Sequence, residues 1–349
     1  MSLVAALKAL SEREELQLVT PENNDPAGTV ASGAIRHSAV SLIVRFNSLV
    51  SNQEKFATVQ DFLDHVNDSD AEVLLIKRST RDSDRWSGHI ALPGGRRDPE
   101  DESDLATAKR ETMEEVGLDL DKYGMYVGPL GQRYVTAHWG GQIIMVLCTY
   151  VFVITTTDPI PLQLQESEVA LAFWTPLSYI ADPANQTRYV REPGNIASSR
   201  MRSSVLRALV RSCVGKLYFA GIHISPEIAV GHHVEYDVPK MTVWGLTHRI
   251  IVDFLDLAYP ATRAERPLTP YSGQLDTRLF MKLFSRRDSD EGGFGGSDSV
   301  WSASKGYIVD RYYGNFAIAV ALACALRCSV GVFMLVKIVL KLKSLRRRL

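Results

Sequence analysis

Residues Leu92 to Leu118 read LPGGRRDPEDESDLATAKRETMEEVGL, and the rest of the chain is organised around this stretch. Glu111, Glu114 and Glu115 fall within five positions. At ~100° per residue, a helix sets all three carboxylates on one face. Beside them Leu105, Ala108, Thr112 and Val116 form an apolar stripe, which predicts a helix packed on a core with its acidic side turned outward. Like charges one turn apart disfavour a helix by a few tenths of a kcal/mol each, so the crowding calls for a cation. Hard divalent ions take oxygen ligands and bind phosphates at the same time. Arg110 stands one turn from Glu114 and is placed to orient a carboxylate through a bidentate contact. Ahead of the helix, Pro93, Gly94 and Gly95 supply a tight turn, and acidic DPEDESD suits the positive end of the helix dipole.

The stretch resembles the Nudix box, G-x5-E-x7-R-E-U-x-E-E-x-G-U with U aliphatic. Gly117, Glu115, Glu114, Glu111, Arg110 and Glu102 fall in register with it. Two positions depart: Gly95 lies one residue early, and Thr112 replaces an aliphatic residue. The longer loop leaves the first acidic slot open to either Glu102 or Asp101. The resemblance implies an α/β fold of the Nudix type, a mixed sheet between helices in an α/β/α sandwich. It also implies Mg2+ or Mn2+ held by Glu111, Glu114 and Glu115, with Glu102 or Asp101 assisting, and Arg110 bracing the carboxylates. The implied reaction is hydrolysis of a nucleoside diphosphate joined to a second group.

Composition agrees with a globular enzyme: 349 residues, 46% hydrophobic and 23% charged. A net charge of −1 argues against a general nucleic-acid binder; a small-molecule nucleotide is the partner that the resemblance implies. Cys148, Cys213, Cys324 and Cys328 lack metal-ligand spacing and are expected to be reduced. MSLVAALKALSEREELQL carries no signal-peptide pattern and reads as a short amphipathic helix capping the domain. Residues 19–33 form a polar linker, so 1–33 is taken as helix plus linker and 34–260 as the catalytic domain.

Within that domain IRHSAVSLIVRF and EVLLIKRS read as strands flanking the helix VQDFLDHV. The segment from Leu74 to Gly95 is similar to the signature that precedes the box in coenzyme A pyrophosphatases: Leu74, Leu75, Arg78, Ser79, Arg85, Gly88, Pro93, Gly94 and Gly95 match. Ile76 and Leu92 depart from it, and the loop between Ser79 and Gly88 is longer. Coenzyme A or its thioesters are the implied substrates, cleaved to phosphopantetheine and adenosine 3',5'-bisphosphate. Arg78 and Arg85, with Gly94 and Gly95, are the implied substrate-binding residues. Guanidinium groups grip phosphate oxygens in bidentate fashion, although Arg78, Arg81 and Arg85 also read as solvated loop cations balanced by neighbouring aspartates. ADP-ribose, NADH and dinucleoside polyphosphates are the alternative substrates, and a tethered nucleotide-binding module without turnover is the alternative class.

Past the box, GMYVGPLGQRYVT and IIMVLCTYVFVI read as two strands, the second apolar enough to be central. ESEVALAFWTPL resembles the x-E-V-A-x-x-x-W-x-P-L stretch of related enzymes. Glu168 fills its acidic position, as a further carboxylate near the metal helix or as an ordinary strand-edge residue. Residues 188–240 read as an insertion, with His232 and His233 a loop feature. MTVWGLTHRIIVDFLDLA reads as an amphipathic helix with Ile250, Phe254, Leu257 and Ala258 inward. Its opening Val243-Trp244-Gly245-Leu246-Thr247 resembles the close of coenzyme A pyrophosphatase domains.

Residues 261–314, rich in Pro, Gly, Ser and charge, are expected to form a flexible linker. Residues 315–349 are read as a membrane anchor. FAIAVALACALRCSVGVFMLV, 316–336, is twenty-one residues with one charge, Arg327, long enough to cross ~30 Å of hydrocarbon. The basic tail KIVLKLKSLRRRL follows. An anchored enzyme facing the cytosol, a mitochondrial or peroxisomal membrane, an interfacial helix and a buried soluble helix all remain open.

Overall fold

In the computed structural model of the chain, the described residues are 2–13, 35–47, 56–80, 87–136, 143–156, 158–191, 203–204, 215–225, 241–259, 271–289 and 304–346. Arg81, Arg85, the 19–33 linker and the His232–His233 pair lie outside them. The chain divides into two compact units.

The first unit holds α1 (Leu3–Ser11), β1 (Arg36–Phe46), α2 (Val59–Leu63), β2 (Ala71–Arg78), β3 (Ile90–Ala91), β4 (Gly94–Arg96), α3 (Asp104–Val116), α4 (Leu120–Tyr123), β5 (Gly124–Thr136), β6 (Ile143–Ile154), β7 (Val169–Pro176) and α5 (Leu177–Ala181). Seven strands form one mixed sheet in the order β3-β2-β1-β6-β5, with β4 also on β1 and β7 on β2. Strands β1 and β6 run parallel, from Arg36 opposite Met145 to Val44 opposite Val153, and the other pairings are antiparallel. β6 lies inside the sheet between β1 and β5, as its continuous apolar run predicts.

Period-two alternation sends β1 side chains to opposite faces. Ser41 bonds the Ala108 carbonyl of α3 at 3.0 Å, and Ile43 joins Leu74, Ile76, Val116, Phe152 and Ile154 in the core beneath that helix. Phe46 turns the other way, onto Phe62 of α2 at 6.0 Å. Helices therefore cover both faces of a mixed sheet, the α/β/α layering expected from the sequence. α1 also caps this unit as its pattern predicts. Leu3, Ala6, Leu7 and Leu10 are buried, and the Asp68 carboxylate accepts from the Leu3 and Val4 amides at 2.9 and 2.8 Å.

The segment read as one helix from Met241 instead begins as a strand, β10 (Met241–Trp244), and turns helical at Gly245 as α6 (Gly245–Ala258). β10 pairs with the end of β9 (Leu217–Ile224), Met241 opposite Ile224. The alternation of Met241 and Val243, both buried, is the strand period that a helical reading of these four residues overrides. Ile250, Phe254 and Ala258 are buried as expected, whereas Leu257 is only half-buried and Leu255 takes the inward position. β8 (Gln186–Arg191) opens the segment read as an insertion.

The second unit contains α7 (Leu275–Ser289), preceded by β11 (Tyr271–Ser272), and α8 (Ser304–Arg346). Part of the stretch 261–314 is thus helical where a linker was expected. The physical reason lies in α7's contact with α8: Asp276, in its first turn, takes Arg327 through two contacts at 2.5 and 2.6 Å. Within α8, Ile318–Ser344 is long and apolar enough to cross a membrane by length and composition.

Candidate active site

Helix α3 is delimited by its own residues. Ser103 caps the start, its Oγ accepting the Ala106 amide at 3.1 Å. Gly117 ends it at φ 67°, a left-handed conformation that favours glycine, and its amide donates to the Met113 carbonyl at 3.0 Å. The following loop docks on the last turn: the Gln163 and Gln165 amides donate to the carbonyls of Val116 and Glu115 at 2.9 and 3.0 Å.

The three glutamates do not all face outward. Glu115 shares the buried face with Ala108 and Thr112, and its side chain is 2% exposed. It follows Thr112 by three positions, which carries it toward the sheet, where the Gly94 amide donates to its Oε2 at 2.9 Å. Nη1 of Arg78 stands 3.7 Å from Oε1. Burial pushes the Glu115 carboxyl up to about 7, and the charges of Glu111 and Glu168 add to it against the Gly94 amide and Arg78. Glu111 is raised as well, again by burial first, with Arg110 opposing. Gly94 and Gly95, expected to form a tight turn, are instead part of β4, paired with Val40 and Ala39 of β1. A Cβ at Gly95 would lie 2.5 Å from Cδ and Oε2 of Glu111, so a bare backbone there lets that carboxylate rest on the strand. Glu114 stands at the outer edge, 52% exposed.

Arg110 links the set. Its Nε and Nη2 donate to the two oxygens of Asp101 at 2.9 Å each, in a bidentate pair. Nη1 donates to Glu114 Oε2 at 2.9 Å, and Nη2 to Glu111 Oε1 at 3.1 Å. The Arg110 contact holds the Asp101 carboxyl well below the usual carboxylate range. Of the two residues left open for the first acidic slot, Asp101 is the one whose side chain meets Arg110. Glu102 is exposed, and among the described residues only its carbonyl enters the network, accepting from Arg97 at 3.1 Å. The additional loop residue is absorbed by a turn. The Asp101 amide donates to the Asp98 carbonyl at 3.1 Å, and the Asp98 amide donates to Asp101 Oδ2 at 2.9 Å.

Glu168 reaches this group from the far side. Ser79 at the end of β2 binds the Glu168 carbonyl through its amide at 2.8 Å and the Glu166 carbonyl through its hydroxyl at 2.7 Å. The β2–β7 register sets Arg78 opposite Val169 across an irregularity. Glu168 thereby comes within electrostatic range of both Glu111 and Glu115, as their raised carboxyls record. The structure brings Arg78, Gly94, Gly95, Asp101, Arg110, Glu111, Glu114, Glu115 and Glu168 together along α3.

Sequence reasoning missed Arg97, Asp104 and Ser41. Ser41, a polar residue in the apolar run AVSLIV, lies 2.9 Å from the Thr112 hydroxyl, which is itself 2.7 Å from the Ala108 carbonyl. A threonine at a position that is aliphatic in the Nudix pattern is thus satisfied by a serine on the facing strand.

The donor set suits a hard cation: oxygen atoms only, from acids whose mutual repulsion and burial already raise Glu111 and Glu115. Among the described residues no group of three or more His, Cys, Asp or Glu side chains is already arranged to hold a metal ion.

Comparison with known proteins agrees with this geometry. A protein of Schizosaccharomyces pombe described as uncharacterized is 38% identical over 220 residues, 61% of this chain and 65% of that protein. Nudix hydrolase 15, mitochondrial, of Arabidopsis thaliana is 48% identical over 52 residues, covering 15% of this chain and 18% of that protein. The mitochondrial coenzyme A diphosphatase NUDT8 of Homo sapiens is 32% identical over 114 residues, 33% of this chain and 45% of that protein. The chain therefore spans less than two thirds of the length of each of these relatives. The family model described as NUDIX domain matches residues 64–192, from the end of α2 through β8.

Proposed function

We propose that this chain hydrolyses the diphosphate of a nucleoside diphosphate joined to a second group, and that its substrates are coenzyme A or its thioesters. The products are phosphopantetheine and adenosine 3',5'-bisphosphate. The observation that carries the reaction class is the acidic end of α3, where burial and neighbouring carboxylates raise Glu111 and Glu115 while Arg110 ties Asp101, Glu111 and Glu114 into one set of contacts. The substrate class rests on the match of Leu74 to Gly95 with the coenzyme A pyrophosphatase signature and on the diphosphatase among the relatives.

Glu111, Glu114 and Glu115 would hold Mg2+ or Mn2+, with Asp101 acting through Arg110 rather than as a ligand. When bound, such ions neutralise charge on the phosphate oxygens and favour hydrolysis of the P–O–P bridge. The chain's own residues supply the remainder. Gly94 and Gly95 present backbone amides beside the carboxylates without side-chain bulk. Arg78, already 3.7 Å from Glu115, offers a cation to a diphosphate oxygen. Glu168 accepts the proton of the attacking water as that oxygen bonds phosphorus and the bridging oxygen leaves with the other phosphate.

The same reading makes α8 a membrane anchor. Leu322, Leu326, Val330, Phe333 and Leu335 are exposed along its apolar span, and a lysine- and arginine-rich end suits an anionic lipid surface. The catalytic domain then faces the cytosol from the membrane it is tied to, for which a mitochondrial or peroxisomal membrane is the proposed site.

The test is chromatographic. The purified full chain with millimolar Mg2+ or Mn2+ is offered coenzyme A, ADP-ribose, NADH and diadenosine polyphosphates. Adenosine 3',5'-bisphosphate released from coenzyme A faster than products from the others is the expected result. Preferential cleavage of another member overturns the substrate, and cleavage of none overturns the reaction.

A further inference from the structure

We propose that Asp104 and Arg97 are positioning residues for the carboxylate face, holding loop 98–103 so that Asp101, and not Glu111 or Glu114, takes the main grip on Arg110. The inference rests on the reading of that face as a divalent-cation site.

Asp104 opens α3, where an aspartate normally sits in solvent beside the helix dipole. Here its side chain is 1% exposed. A carboxylate so buried needs partners, and it has them: Arg97 Nη1 at 3.3 Å on Oδ1, with His37 Nδ1 and the Cys148 thiol each 3.2 Å from Oδ2. Arg97 is in turn fixed at both ends. Its amide donates to the His37 carbonyl at 3.0 Å, continuing the β1–β4 ladder, and its Nη2 donates to the carbonyls of Asp101 and Glu102 at 3.1 Å each. One guanidinium thus ties two consecutive loop carbonyls to a buried anion on the sheet side of α3. With the backbone held there, the Asp101 side chain meets Thr107 Oγ1 and both Arg110 donors at 2.9 Å.

The consequence for the site follows from donor capacity. Arg110 has a fixed fork of five N–H groups, and Asp101 engages Nε and Nη2. If the loop relaxes and Asp101 withdraws, those donors turn to Glu111 and Glu114, which already touch the same guanidinium. Each carboxylate oxygen taken by Arg110 is one withheld from a cation. Asp104 and Arg97 act by keeping that competition weak, while neither touches the metal-binding oxygens.

Mn2+ binding to the full chain, read from the electron paramagnetic resonance of free Mn2+, tests this without requiring turnover. Arg97→Gln and Asp104→Asn are each expected to weaken Mn2+ binding about tenfold or more, the loss corresponding to a charge-assisted hydrogen bond. Arg97→Lys, which keeps the cation, is expected to recover most of the affinity. Leu7→Ala, a cavity in the α1 core away from the loop, should lower the melting temperature and leave affinity unchanged. Wild-type affinity in both Arg97→Gln and Asp104→Asn overturns the proposal and leaves the cation site standing. So does an affinity loss in Leu7→Ala of the same size, since it would mark a general effect of lost stability. A wild-type chain that retains no Mn2+ overturns the cation site and the proposal together.

Discussion

The Gly94 amide donates to Oε2 of Glu115 at 2.9 Å, joining the start of β4 to a carboxylate that is almost wholly buried. One amide does not offset the burial, and the Glu115 carboxyl rises to about 7. Between the ordinary value of 4.5 and about 7, the folded metal-free chain keeps a proton that the unfolded chain has lost, so stability falls as pH rises. At ~1.4 kcal/mol per unit, the loss across that window is on the order of 3 kcal/mol, with Glu111 adding in the same direction. Melting in EDTA from pH 4.5 to 8 should show this decline, and Glu115→Gln should flatten it. A wild-type curve that rises over the window would refute the assignment. The same substitution should lower turnover at least ~100-fold, as expected for a lost transition-state contact.

Gly94 and Gly95 are adjacent but should fail differently. A Cβ at Gly94 would meet the Ala39 carbonyl at 2.3 Å, at φ 145°, so Gly94→Ala distorts β1 itself. Backbone strain alone should remove about 1–3 kcal/mol of stability there. At Gly95 the Cβ meets only the movable end of the Glu111 side chain. Gly95→Ala is therefore expected to melt within a few degrees of wild type while weakening Mg2+ activation. Metal titrations of activity beside melting curves separate the two, and equal loss of stability in both would contradict the contrast.

The helix α3 and the longer strands β1, β2, β5, β6 and β7 were legible because each is written in local spacing. The burial of Glu115 was not. It depends on how α3 rolls on the sheet, which is set by Ser41 and Ile43 of a strand some seventy positions earlier. Spacing along the helix assigns a shared face but not which edge of it meets the core. That Arg110 meets Asp101 and not Glu102 had the same character, since the turn from Asp98 to Asp101 sets it. Arg97 and Asp104 read as ordinary members of a charged loop until His37, on another strand, closes the contact.

Arg110→Lys tests the geometry of that loop rather than its charge. Lysine keeps the cation but cannot engage both Asp101 oxygens through a planar fork while still reaching Glu114. Loss of one such charge-assisted contact, ~1.5–3 kcal/mol, corresponds to a fall in turnover of roughly 10–100-fold. Steady-state kinetics with coenzyme A should place the loss in kcat. A change confined to KM would assign Arg110 to substrate binding instead.

Arg327 tests the anchor. It interrupts the apolar span of α8 and is neutralised there by Asp276 through paired contacts at 2.5 and 2.6 Å. An arginine near the middle of an inserted helix opposes insertion by roughly 2.5–3.5 kcal/mol. Replacing it with leucine removes that cost, so Arg327→Leu should raise the fraction of full chain that floats with phosphatidylcholine vesicles and resists alkaline carbonate. Substituting lysine at both Val330 and Leu335, exposed on the same span, should lower it. If α8 stays on α7 and does not enter the membrane, Arg327→Leu strands Asp276 and flotation stays near zero in every variant. Flotation of the wild-type chain, stronger in Arg327→Leu and lost in the double lysine variant, is the pattern that the anchor requires.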